Sequence, residues 1–152
     1  MKKKYLYSAI ATLALAALSL TVYVSAFSGT AAAAPAKVTL YHNPGCTCCL
    51  RYAEYLDDSG YDVEMLDTNG IAGINEQHGV PRQRSSCHTM LIGDYVVVGH
   101  VPADVVDKLL AEQPDIRGIS LPGMPLGSPG MGGEKGEPFI IRSLSGEVYT
   151  AY

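Results

Sequence analysis

The apolar pattern of the chain predicts an α/β sandwich with a Gly/Pro/Met-rich loop and a C-terminal hairpin. Three observations carry that fold class. Short β-rich runs alternate with helix-period segments between Val38 and Leu110. The segment Leu121–Gly133 holds too much Gly and Pro for a helix or an inner strand. Two further β-rich runs then flank Ser145-Gly146, a turn signal.

Val38-Thr-Leu-Tyr41 predicts a first strand, ended by Asn43-Pro44-Gly45. Cys46-Thr-Cys48-Cys49 leads into a helix, because Cys49, Tyr52, Ala53 and Leu56 recur at i, i+3, i+4 and i+7, and Ser59-Gly60 ends it. Leu50 is placed with Ala53 and Leu56 on the inner side, which leaves Cys48 on an exposed first turn. From Tyr61 to Leu66 apolar and acidic residues alternate, as in a second strand. Ile71–His78 predicts a short helix closed by Gly79-Val80-Pro81. Thr89–Ile92 and Tyr95–Val98 are strands of a hairpin turning at Gly93-Asp94. Pro102 opens a helix at its first position; Val105, Val106, Leu109 and Leu110 form its buried face, and Pro114 follows its end. Phe139–Leu144 and Glu147–Tyr152 form the closing hairpin. The order β-α-β-α-β-β-α is that of a thioredoxin-like sandwich.

Of the 152 residues, 11 are Lys or Arg and 15 are Asp or Glu. Residues 1–36 contain Lys2, Lys3 and Lys4 and no acid, so residues 37–152 hold 8 basic and 15 acidic side chains, a formal charge of −7. A net-acidic domain without a basic run excludes nucleic acid as partner, since phosphate binding needs clustered Lys and Arg. The basic start, the uncharged stretch Tyr5–Phe27 and the small-residue tract Ser28–Ala36 predict a secretory signal peptide, cut after Ala33, Ala34 or Ala36. The apolar run is long enough for an uncleaved membrane anchor as well. Cleavage is the expected outcome, and a periplasmic location follows from either reading. The membrane is then a partner only through an uncleaved N-terminal segment. Residues 37–152 form the single folded domain, and its cysteines face an oxidising compartment.

Cys46, Cys48 and Cys49 sit at a strand-to-helix junction, where backbone N–H groups and the helix dipole favour a thiolate. Cys46 and Cys49 have the Cys-x-x-Cys spacing of thiol–disulfide exchange, but the added Cys48 fits a multidentate soft-metal site better. In a sandwich of this topology the loop entering the third strand lies against the first helix, so Cys87 is expected at the triad. Arg82 and Arg84 are expected to depress its pKa. Thiolates with thioethers select Cu(I), whereas structural zinc normally takes two separated pairs. An iron–sulfur cluster matches the ligand count but not an exported protein. Two disulfides are the competing use of four exported cysteines, with three connectivities, although the adjacent Cys48-Cys49 pair disfavours them.

His88, beside Cys87, is the foremost histidine candidate. His100 is open between site and helix entry, His42 is expected to hydrogen-bond in the cysteine loop, and His78 is expected at the surface. Tyr41, Tyr52, Tyr55, Tyr61 and Tyr95 are read as core. Pro-Gly-Met occurs at 122–124 and again at 129–131, so Met124 and Met131 are candidate thioether ligands on a loop folded back over the cysteines, with Met124 favoured. The other use of these methionines is to cap an apolar gap.

Tyr41-His-Asn-Pro-Gly-Cys46-Thr-Cys-Cys49, Ser86-Cys-His-Thr89, Gly99-His-Val-Pro102 and Pro122-Gly-Met-Pro-Leu-Gly-Ser-Pro-Gly-Met131 together resemble the CopG-type periplasmic proteins associated with copper resistance. The resemblance runs from about Val38 to the C-terminus and implies a thioredoxin-like fold. It also implies Cu(I) bound by the clustered cysteines, in a site that could be multinuclear, with Met and His as further ligands. Other periplasmic copper-handling proteins are the partners it suggests. The opening motif Tyr41–Cys46 also resembles glutaredoxin-linked arsenate reductases, but those are cytoplasmic and lack the further cysteines. The expected function is therefore a copper-binding protein rather than an enzyme. A periplasmic thiol–disulfide oxidoreductase using Cys46 and Cys49 is the alternative.

Overall fold

The structure, a computed structural model, describes residues 34–152. All of the expected export segment except residues 34–36 lies outside the described residues. Seven strands form one sheet in the order β2-β1-β3-β4-β5-β6-β7. They are β1 (Lys37–His42), β2 (Asp62–Asp67), β3 (His88–Ile92), β4 (Tyr95–Val98), β5 (Gly118–Ser120), β6 (Ile140–Ser143) and β7 (Val148–Ala151). The helices are α1 (Thr47–Asp58), α2 (Ile71–Gln77) and α3 (Ala103–Glu112), with a 3-10 turn at Arg82–Arg84. No helix among the described residues is long and apolar enough to cross a membrane.

Strands β1 and β2 run parallel around α1, and β4 and β5 run parallel around α3. The β3–β4 hairpin runs antiparallel between them. The α1 face is the one the periodicity predicts: Cys49, Tyr52, Ala53 and Leu56 are its buried residues. Leu50 departs from expectation and is 46% exposed. It lies one residue past Cys49, off the inward stripe that Cys49 begins. Pro102 is the cap of α3 rather than its first helical residue.

Strand alternation divides the apolar side chains between the two faces of the sheet. Val38, Leu40, Met90, Ile92, Val97, Ile119 and Ile141 meet α1 and α3 in the main core. Val96 and Val98, with the opposite parity on β4, join Val80 and Leu144 in a smaller cluster. Tyr52 and Tyr61 lie in the main core, and Tyr55 and Tyr95 pack against it. Tyr41, expected there, is only partly buried and is outside both clusters.

Strand β5 was not visible in the apolar pattern. It is three residues long and begins at Gly118, where a Cβ would stand 1.9 Å from the Val96 carbonyl oxygen. Only glycine lets the backbone approach β4 that closely. β5 bridges the hairpin to β6, and the chain between β5 and β6 returns as turns across the start of α1.

Candidate metal centre

The turn Asn43–Cys46 aims the cysteines. Gly45 takes φ +75°, the Cys46 N–H donates to the Asn43 carbonyl at 3.2 Å, and the Cys46 carbonyl accepts the first helical N–H bonds from Cys49 and Leu50. The Asn43 N–H donates to the Cys87 carbonyl at 3.3 Å, which fixes the entry of β3 beside that turn. All four cysteine sulfurs consequently lie within 4.8 Å of one another. Cys48 Sγ is 3.4 Å from Cys46 Sγ and 3.8 Å from Cys87 Sγ, and Cys49 Sγ is 3.4 Å from Cys87 Sγ.

Cys46 and Cys49 are joined as a disulfide, while Cys48 and Cys87 are free. Of the three cysteines on this turn, the two at Cys-x-x-Cys spacing, Cys46 and Cys49, are the bridged ones. Their Cα atoms lie 5.3 Å apart on the first helical turn, within the span of a disulfide. The four-thiolate set therefore belongs to the state reached after two-electron reduction of this bond.

A correction concerns Cys87. Burial, and then the neighbouring Cys48 thiol, push its pKa upward, with no contribution from Arg82 or Arg84. Arg82 is exposed and Arg84 reaches toward Gly146. Crowded sulfurs resist simultaneous ionisation unless a cation offsets their charge, a property of metal-thiolate sites in general.

His88 and His100 form a nitrogen-bearing side to this cluster. Both are buried, with ring centroids 4.8 Å apart, and Tyr52 packs on each, at 4.9 Å and 5.2 Å. His88 Nε2–H donates to the Gly99 carbonyl at 3.0 Å, so its Nδ1 is unprotonated and turns its lone pair to Cys87 Sγ, 3.8 Å away. Burial first, then the facing His100, lowers the His88 pKa to about 3. His100 Nδ1–H donates to the Pro129 carbonyl at 2.6 Å, and burial lowers its pKa too. Its Nε2 is buried with no hydrogen-bond partner. An orphaned, deprotonated ring nitrogen is the state an imidazole needs to act as a ligand. Ligand atoms of Cys87, His88 and His100 also lie within 4.8 Å of one another.

Met124 Sδ lies 3.8 Å from Cys87 Sγ, and the residue is 39% exposed with φ +46°, a conformation rare for methionine. Met131 closes a turn, its N–H donating to the Ser128 carbonyl, and makes no hydrogen-bond-range sulfur contact of the kind Met124 makes at 3.8 Å. His42 is near but turned aside, with Nδ1 3.1 Å from its neighbour's carbonyl at Asn43 and 3.4 Å from Asp67. His78 is half-buried at the C-terminal cap of α2 and belongs to neither group of clustered ligand atoms. Tyr52, expected as core, also floors the site. Its position three residues after Cys49 is the signal that it lies beneath the first turn.

A thioredoxin-order sheet with four clustered cysteines at the start of α1, two buried histidines and a nearby thioether defines the class: a thioredoxin-like protein whose donors suit a soft metal ion. The chain belongs to the CopG family. Two solved structures of the copper resistance protein CopG, forms 1 and 2, are each 32% identical to it, with TM-scores of 0.71 and 0.70; both comparisons cover 78% of this chain and 98% of the other. The family described as "Protein of unknown function, DUF411" matches residues 84–131, from the turn before Cys87 to Met131. The "Gene 56 protein" of Mycobacterium phage D29 is 34% identical over 77 residues, covering 48% of this chain and 81% of that protein.

Proposed function

We propose that this chain is an exported Cu(I)-binding protein that contributes to copper resistance or handling. The observation that carries the reading is the clustering of all four cysteine sulfurs within 4.8 Å of one another, with a thioether 3.8 Å from the shared Cys87. After reduction, Cys46, Cys48, Cys49 and Cys87 supply soft thiolates, and Met124 adds a neutral thioether that favours Cu(I) over Zn(II). His88 Nδ1 and His100 Nε2 supply nitrogen on the other side of Cys87. Two donor groups sharing one thiolate support a site for more than one copper ion. Residues 1–36 are the proposed signal or anchor, and periplasmic copper-handling proteins are the proposed partners.

A second reading, thiol–disulfide exchange at Cys46 and Cys49, is favoured by one observation, the bridge between them. Anaerobic Cu(I) titration of the reduced protein, run beside an insulin-reduction assay, separates the two. Tight copper binding without insulin turnover is expected; no copper bound with turnover in the second assay would reverse the assignment. At the level of one side chain, Cys48→Ser is expected to lower Cu(I) affinity at least tenfold while the fold persists, because Cys48 is partly exposed and outside both apolar clusters. Unchanged competition against a Cu(I) chelator would remove Cys48 from the ligand set.

A further inference from the structure

Residues 122–133 contain no helix or strand, and yet their path is closely determined. Within the segment, the Ser128 N–H and Oγ–H both donate to the Pro125 carbonyl, at 3.2 and 2.7 Å. The Met131 N–H donates to the Ser128 carbonyl at 2.9 Å, and the Gly127 N–H to the Gly132 carbonyl at 3.1 Å. Ser128 itself is buried. Such a loop is a small folded body whose own turns open once it leaves the domain.

That body is pinned to the domain at two adjacent residues. The Pro129 carbonyl accepts the His100 Nδ1–H bond at 2.6 Å. Gly130, at φ +75°, presses on the first turns of α1, so that a Cβ there would stand 2.8 Å from the Cys48 carbonyl oxygen and 2.7 Å from the Tyr52 nitrogen. Neither atom belongs to a flexible side-chain tip. At the other end of the same loop Met124 presents its sulfur to Cys87.

We propose that Gly130 and the Pro129–His100 hydrogen bond lock this loop as a strap over the cysteines, with Gly130 the positioning residue, so that strap closure and metal affinity are coupled. A carbonyl only accepts, so the Pro129 bond holds the His100 proton on Nδ1 and leaves Nε2 bare. The strap thereby selects the imidazole tautomer as well as placing Met124. This is the arrangement by which outer carbonyl partners orient metal-binding histidines. By linkage, a metal ion that gains from the closed strap must hold the strap closed by the same factor. The inference rests on the copper reading above, with Cu(I) as the probe.

Hydrogen–deuterium exchange of the reduced full chain tests the coupling without any substitution. With Cu(I) bound in a verified ratio, the Gly127, Ser128 and Met131 amides are expected to exchange at least tenfold more slowly than without it. A double-mutant cycle tests the positioning role. Met124→Leu is expected to weaken Cu(I) binding about tenfold in the native chain. It is expected to have no further effect once Gly130→Ala has displaced the strap, a non-additivity that general destabilisation does not produce. Copper binding with unchanged strap exchange, or additive losses, would overturn the strap and leave the copper site standing. Failure of the native chain to bind Cu(I) would overturn both.

Discussion

Cys87→Ser is expected to cut the Cu(I) affinity of the reduced protein by roughly 100-fold or more, the largest loss of any single site substitution. Cys87 is the node of the cluster. Its sulfur lies 3.8 Å from Cys48 Sγ, 3.4 Å from Cys49 Sγ, 3.8 Å from Met124 Sδ and 3.8 Å from His88 Nδ1. It is also the member shared by the four-sulfur group and the histidine group. Removing any other donor leaves one of those groups intact; removing Cys87 leaves neither. Competition against a Cu(I) chelator under reducing, anaerobic conditions measures the loss. A Cys87→Ser protein that bound as tightly as the native one would mean that its sulfur is not a ligand.

The second large effect is on the metal-free protein and depends on pH. His88 is buried as neutral imidazole, with its pKa lowered to about 3 from the 6.5 of an exposed histidine. The unfolded chain therefore binds a proton below about pH 6.5 that the folded chain refuses. Stability from this group is complete above that pH and falls at about 1.4 kcal/mol per pH unit toward pH 3, a loss on the order of 4 kcal/mol. His100, shifted in the same direction by burial, adds to the slope. Urea unfolding of the native protein between pH 7 and pH 4.5 is expected to show the decline. A His88→Gln variant, which has no titrating ring, is expected to show a slope shallower by about one proton. Equal slopes in the two proteins would mean that His88 is not held neutral by the fold.

Where one signal decided the local structure, the sequence was readable. The i, i+3, i+4, i+7 stripe from Cys49 to Leu56 is the buried face of α1, and the turn Gly93-Asp94 joins β3 to β4. The approach of Cys87 to the other cysteines was legible too, because topology alone brings the β3 entry to the start of α1. Other features depend on contacts between distant segments. β5 exists because Gly118 lets the chain approach Val96, and three residues carry no periodicity. The pKa of Cys87 follows from burial against Cys48, which the nearby Arg82 and Arg84 in sequence do not reveal. For His100 the sequence leaves both roles open, because the contact that decides, the Pro129 carbonyl that takes its Nδ1 proton and leaves Nε2 unpartnered, comes from a distant loop. Likewise, the repeated Pro-Gly-Met gave its two methionines equal local chemistry, and only the fold separates Met124 at the cluster from Met131 in a turn.

Copper K-edge X-ray absorption of the reduced protein, loaded anaerobically with one equivalent of Cu(I), tests the central claim most directly. The expected result is a first coordination shell dominated by sulfur, which loses sulfur in Cys48→Ser and collapses in Cys87→Ser. A first shell of nitrogen and oxygen alone, unchanged by either substitution, would contradict it.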